Sequence, residues 1–365
     1  MPARAVMLAL AATPGALPAV TAERLAGGAD PAELLRRDSP DPGAVATRLA
    51  AIGADLLLPD DPGWPLAATP PDPPCAWLFV AGQVPPGPAA SVAVVGGRRA
   101  SPLRRAAARA LGAGLAAAGW SVVSGGAVGV DAAAHGGALD GGGRTVVVLG
   151  CGLDVAYPRA NAGLFARVLA AGGTVVSEHP PGVPPRPANF LPRNRLIAAL
   201  AAAVVVVEAA EDSGSLSTAK AAGGRGSGRV LVVPGAPWDV GAAGCNALIR
   251  DGATLVRGLA DILEELGAAA AAPTPGPPAV AAEPAEVPSV GGHGPALAGV
   301  SARKVLAVLV DGGVLGAPRL AAMTGLEPAA LAAALLELEL AGLVRRTAAG
   351  VQALALPRSS PREGA

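Results

Sequence analysis

Aromatic side chains are nearly missing from this chain: three Phe, one Tyr and four Trp in 365 residues. Any surface for stacking a planar ligand must come from individual rings. Phe190 is the first candidate, with Trp238 and Tyr157 behind it. Lysine stands only at positions 220 and 304, so almost every cation is an arginine. With 50 Gly and 37 Pro, that bias fits a GC-rich coding sequence, and the shortage of lysine carries little functional meaning. The three cysteines, Cys75, Cys151 and Cys245, are far apart and have no CxxC pair or His-rich cluster around them. A disulfide framework or zinc site is therefore not expected, and a reducing cytoplasm fits. The longest clean apolar run, Ile197–Val207, is too short to span a bilayer, so no membrane partner is expected. Met1–Ala12 has one Arg and a short apolar stretch before Pro14 and Pro18, and reads as the first helix of a small domain rather than a signal peptide.

Nucleotide-cofactor signatures are missing too. No GxGxxG follows the first strong strand, and neither lysine follows the glycines of a phosphate-binding Walker loop. Bound NAD or ATP is disfavoured, and no cofactor or metal is expected.

What is present is a set of turns suited to phosphate. Strand-like Val92–Val95 ends in Gly96-Gly97-Arg98-Arg99, and Val122-Val123 ends in Ser124-Gly125-Gly126. Pro192-Arg193-Asn194-Arg195 follows a Pro-rich loop that holds Arg186, and Ser213–Thr218 opens a helix. Glycines let backbone N–H groups approach an anion, and the arginine fork matches phosphate oxygens. The Ser213–Thr218 turn follows Glu208, Glu211 and Asp212, and so reads as scaffold more than contact. Asp131 and His135 stand one helical turn apart, but with no nucleophile or metal set they read as a cap and a packing contact rather than an acid–base pair. Formal net charge is zero, yet it is unevenly spread: residues 1–90 balance to −4 (5 basic, 9 acidic), 91–260 to +7 (16 and 9) and 261–365 to −3 (7 and 10). The basic segment is the one with the glycine turns, as capture of a polyanion requires.

From Ser91, β-rich runs at 92–95, 120–123, 145–149, 173–177, 203–207, 230–233 and 253–256 alternate with Ala-rich helical stretches. That alternation predicts an α/β fold with a parallel sheet, whose ligands bind beyond the carboxyl ends of the strands. Residues 1–58 read as a small helical domain and 267–295 as an Ala/Pro/Gly-rich linker. Residues 296–357 read as a winged-helix-like domain: a helix over 300–310, a helix-turn-helix from Ala317 to Leu340, and a hairpin with its tip at Ala348–Gly350. This domain is net acidic, so a protein contact or a structural role is as well supported as DNA readout. Residues 358–365 form a tail.

The motifs Val92–Ser101, Ser124–His135, Val148–Asn161, Ser177-Glu178, Asn189–Ile197, Val206–Thr218 and Val233–Ile249 resemble those of the bacterial DNA-processing protein A family, DprA or Smf. The resemblance covers roughly residues 55–260. It implies that 59–266 form an extended Rossmann-like domain binding single-stranded DNA without strong sequence preference. It also implies a homodimer, delivery of strands to the RecA recombinase during natural transformation, and no enzymatic activity. On it, Gly96, Gly97, Arg98, Ser124, Gly125, Arg193, Asn194 and Arg195 line the DNA pocket, with Arg186 beside them. Two positions depart from the family pattern: Gly97 stands for a Ser or Thr, and Val128 for a basic residue. The second predicts weaker binding, with Arg186 or Arg225 as candidate replacements. The main alternative is a nucleoside-monophosphate phosphoribohydrolase on a similar fold, but Pro234-Gly235-Ala236-Pro237 lacks the carboxylate-bearing run that chemistry needs. A transcription factor acting through the acidic tail is the weakest reading.

Overall fold

The structure is a computed structural model, and it describes residues 3–13, 15–224, 228–267, 305, 308–309, 317–340, 344–347 and 350–353. The expected linker, the 358–365 tail, the hairpin tip at 348–349, most of the 300–310 helix and Arg225 lie outside the described residues. The chain divides into two units, 1–281 and 282–365.

The first unit is built on nine strands: β1 Ala54–Leu57, β2 Leu78–Gly82, β3 Ser91–Gly96, β4 Ser121–Ser124, β5 Thr145–Leu149, β6 Thr174–Ser177, β7 Ala203–Glu208, β8 Arg229–Val232 and β9 Thr254–Leu255. Their order across the sheet is β1-β2-β6-β5-β4-β3-β7-β8-β9. From β6 to β9 every pairing is parallel, while β1–β2 and β2–β6 are antiparallel. The run Val92-Ala93-Val94-Val95 shows why valine dominates. Val92 and Val94 pack into one apolar cluster with Val122, Val205 and Leu231, while Ala93 and Val95 enter the opposite one with Val123, Val148 and Val204. A parallel strand covered on both faces has no polar side to offer.

Helices α4 Pro102–Ala117, α5 Val130–Asp140 and α10 Leu259–Leu266 cover one face. Helices α7 Pro187–Ala199, α8 Ser215–Gly223 and α9 Ala243–Arg250 cover the other, and α6 Ala162–Ala170 packs nearer the β2 side. Ser101 caps α4 through the Arg104 N–H at 3.2 Å, with Pro102 at the first helical position, where its missing N–H costs nothing. The N-terminal helices α1 Ala3–Ala11, α2 Pro18–Ala26 and α3 Pro42–Ala51 do not stand apart from the sheet. Met7, Leu10, Val45 and Leu49 share one apolar cluster with Leu56, Trp77 and Phe79.

The connections β3-α4-β4-α5-β5-α6-β6 step across the sheet in one direction, and β7, β8 and β9 continue in the other. The reversal falls between β3 and β7. Neighbouring connections leave on opposite sides there, which opens a crevice at the carboxyl ends of the strands.

In the second unit, α11 Ala317–Thr324 and α12 Pro328–Leu340 are followed by an antiparallel hairpin of β10 Val344–Thr347 and β11 Gly350–Ala353. Leu320, Leu331, Leu335, Leu338, Val344 and Val351 close one apolar core with Val305 and Leu309. Two helices and a hairpin around one core form a winged-helix domain.

Candidate nucleic-acid interface

The crevice between the ends of β3 and β7 encloses about 500 Å³. Its floor is set by backbone. The Gly97 N–H donates to the Glu208 carbonyl at 2.8 Å, and the Val130 N–H donates to the Gly97 carbonyl at 3.3 Å. Gly129 stands at φ +90°, and a Cβ there would lie 2.8 Å from the Arg98 carbonyl oxygen. Only glycine lets α5 begin this close to the β3 turn.

The structure places Arg98 at the mouth. It is exposed, and its guanidinium carbon lies 5.7 Å from the centroid of Phe190. Phe190 in turn stacks on the half-exposed Tyr157, with centroids 5.4 Å apart and planes at 30°. A cation over two stacked rings is a surface suited to a base and its phosphate. Gly96 and Gly97 line the same crevice. A cavity of about 80 Å³ adjoins it, bounded by Arg98, Gly125, Val128, Tyr157 and Phe190.

Arg193, Asn194 and Arg195, which the resemblance has lining the DNA pocket, are not an exposed segment. The segment lies inside α7, and all three polar side chains are buried. Leu196–Ala201 turn to the core at 2% exposure or less, and the preceding turn of helix goes down with them. Arg193 donates through Nη1 to the carbonyl of Gly125 at 2.9 Å and to that of Val148, and through Nε to Asn194 Oδ1 at 3.2 Å. Burial draws its pKa down to about 10, opposed by Asp131, so it stays charged at neutral pH. Its guanidinium lies 5.8 Å from the Phe190 centroid, on the floor of the crevice. Asn194 donates to the Gly214 carbonyl at 3.1 Å and to Ser217 Oγ at 2.7 Å, and so ties the Ser213–Thr218 turn to α7.

Arg195 is out of the crevice altogether. Its Nη1 and Nη2 meet both oxygens of Glu178 at 2.6 Å, and its remaining donors reach the carbonyls of Pro73, Pro74 and Pro192. Ser124 is also structural: fully buried, its hydroxyl donates to the Val94 carbonyl at 2.7 Å. Gly125 has no room for a side chain, since a Cβ would lie 2.7 Å from Arg193 Nη2 and 2.9 Å from Asp131 Oδ2. Arg186 is exposed at the N-cap of α7, between Pro185 and Pro187, which line the crevice.

Asp131 and His135 lie beneath this floor. Asp131 accepts from the Ala127 N–H at 3.2 Å; burial raises its pKa and the charge of Arg193 opposes the rise. The Thr145 hydroxyl donates to the Val122 carbonyl at 2.6 Å, so His135 Nδ1 must donate to Thr145 at 2.7 Å, while Nε2 has no partner among the described residues. Burial, and then Arg193, push the His135 pKa down to about 3. An unfolded chain takes up that proton near pH 6.5, so the stabilisation tied to neutral His135 is complete above that pH. It is lost by about 1.4 kcal/mol per pH unit as pH falls toward the folded value. In urea melts, wild type should therefore lose about 2 kcal/mol more than His135→Gln between pH 6.5 and 5. Equal losses would show that the imidazole is not held neutral.

Charge divides the crevice. Asp212 is exposed on the side toward β7, the buried Glu208 turns its carboxylate to the Gly97–Ser101 turn and accepts from the Ser101 N–H at 3.5 Å, and the buried Asp131 lies beneath the side bounded by Arg98, Phe190 and Tyr157. Arg99, which sequence reasoning had not chosen, lines the crevice as well. Its signal was its place directly after the Gly96-Gly97-Arg98 turn.

The profile of the family described as DNA recombination-mediator protein A matches residues 55–267, and that of the DprA winged helix domain matches 301–350. A DprA protein of Mycobacterium tuberculosis is 42% identical over 229 residues, covering 59% of this chain and 58% of its own length. Protein Smf of Escherichia coli is 42% identical over 189 residues, covering 52% of this chain and 50% of its own. The chain thus spans between half and three fifths of the length of these relatives. The X-ray structure of DNA processing protein A from Streptococcus pneumoniae superposes with a TM-score of 0.57 at 33% identity, over 68% of this chain and 86% of that one.

Proposed function

The chain belongs to the DNA recombination-mediator protein A family, and on that premise we propose that it captures single-stranded DNA in the β3–β7 crevice. Arg98 takes a phosphate, Phe190 and Tyr157 take a base, and the Gly96-Gly97 turn, having no side chains, lets the strand's backbone come close. Arg193 and Asn194 hold the floor, and Arg195 and Ser124 hold the scaffold. The observation that carries this reading is the exposed Arg98 guanidinium over the Phe190–Tyr157 stack. Phosphate contacts with one or two stacked bases suit a strand read without regard to sequence.

The strand is held, not cut. Asp131 and His135, the pair one helical turn apart that could move protons, are buried under the floor and committed to Ala127, Arg193 and Thr145. Family membership favours strand binding over the phosphoribohydrolase alternative. In the full reading the protein acts in the cytoplasm during DNA uptake, works as a homodimer and passes its strand to RecA.

Fluorescence anisotropy with labelled oligo-dT tests the ligand. Binding should be submicromolar at low salt and several-fold tighter than to duplex of equal length. Its logarithm should fall linearly with the logarithm of salt, at about −0.7 per phosphate neutralised. Equal affinity for duplex, or no salt dependence, would sink the assignment.

A further inference from the structure

The crevice has two ways out. One passes the exposed Asp212 on the β7 side, and a polyanion leaving that way meets its carboxylate. The other passes the small cavity beside Tyr157 and crosses Val128, a side chain with 39% of its surface exposed. Val128 also forms the near wall of a third depression, about 380 Å³, on the outer side of α4 and α5. Arg105 and Arg109 line this groove together with Val128, Gly129 and Asn161, and no carboxylate does. The three spaces share walls: the crevice and the small cavity share Arg98, Tyr157 and Phe190, and the small cavity and the groove share Val128.

Charge along this path is positive. Arg105 is exposed, and among the described residues no carboxylate lies within ion-pairing distance of it. Arg109 pairs with Asp140, but Arg167 approaches the same carboxylate at 3.9 Å, so two cations share one anion. Arg105 and Arg109 are four apart on one face of α4, which spaces them about 6 Å along the helix axis. That spacing suits successive phosphates of an extended strand.

Resting on the strand-binding reading above, we propose that the strand leaves the crevice over Val128 and continues into the α4–α5 groove, where Arg105 and Arg109 take its next phosphates. The apolar Val128 is then a saddle between two cationic stations. The charge that family resemblance expects at position 128 is supplied from the neighbouring helix by Arg105.

The test compares a short oligo-dT of about 3 nucleotides, which the crevice alone can hold, with one of about 25, which reaches beyond it. Arg105 is exposed and has no ion-pair partner among the described residues, so Arg105→Glu should melt with wild type. It should weaken the long strand about tenfold, leave the short strand within about twofold, and flatten the salt dependence of the long strand alone by about 0.7. Arg105→Lys should recover most of the long-strand affinity. Unchanged long-strand binding by Arg105→Glu, or an equal loss at both lengths, overturns the route while leaving the crevice intact. A wild type that binds neither oligonucleotide overturns the strand-binding reading and the route with it.

Discussion

Glu178→Ala should lower the melting temperature by on the order of 10 °C without touching the proposed strand-binding crevice. Glu178 and Arg195 are 8% and 7% exposed at their side chains and meet through two contacts of 2.6 Å. Taking two ions out of water is costly, and the pair offsets that cost only through each other and the carbonyls of Pro73, Pro74 and Pro192. Removing the carboxylate leaves the guanidinium buried without a counter-charge, a loss of about 3–5 kcal/mol. Arg195→Ala leaves Glu178 in the mirror-image position and should cost about as much. Glu178→Leu with Arg195→Met removes both charges and should melt above either single variant, though below wild type because three carbonyls lose a donor. Thermal melts followed by circular dichroism give the three shifts. At a temperature where Arg195→Ala remains folded, its affinity for oligo-dT should stay within about twofold of wild type, since Arg195 does not reach the crevice. If Arg195→Ala melts with wild type and loses the strand, the residue belongs to the binding surface after all.

Arg195 also marks where the sequence stopped being legible. The Pro-Arg-Asn-Arg motif was visible, but its orientation was not. The partners that bury it lie far away in the chain: Glu178 at 17 residues, Val148 at 45, Gly125 at 68 and Pro73 at 122. Pro192 sits in the second turn of α7, where packing of Leu196–Ala201 outweighs the missing N–H. The parallel core was readable because strands covered on both faces need unbroken apolar runs, and Val92–Val95 and Val204–Val207 are such runs. Strands β1 and β2 were not readable: each is short, and their antiparallel addition to β6 is a long-range choice that no local pattern encodes. The glycine turns were legible as turns. That Gly125 makes room for Arg193, rather than for a ligand, is a fact of three dimensions.

Arg98 is the side chain on which strand binding should depend most. It is exposed, it stands at the strand end nearest the reversal of the sheet, and Phe190 lies beneath it. Arg98→Ala should weaken oligo-dT binding by about 10- to 100-fold and reduce the salt slope by about 0.7, because one phosphate contact and its released counterion disappear together. Phe190→Ala should remove a base-stacking contact worth about 1–3 kcal/mol, with little change in the salt slope. The two substitutions thus separate charge from stacking at neighbouring positions. Arg98→Lys keeps the charge but loses the planar fork over the ring, so it should preserve the slope and fall between wild type and Arg98→Ala in affinity. Thermal melts establish that all three variants are compared at equal folding. Arg98→Ala binding as tightly as wild type while folded would move the interface off the β3 turn. A Phe190→Ala variant that changes the slope as much as Arg98→Ala would mean that the ring merely positions the arginine.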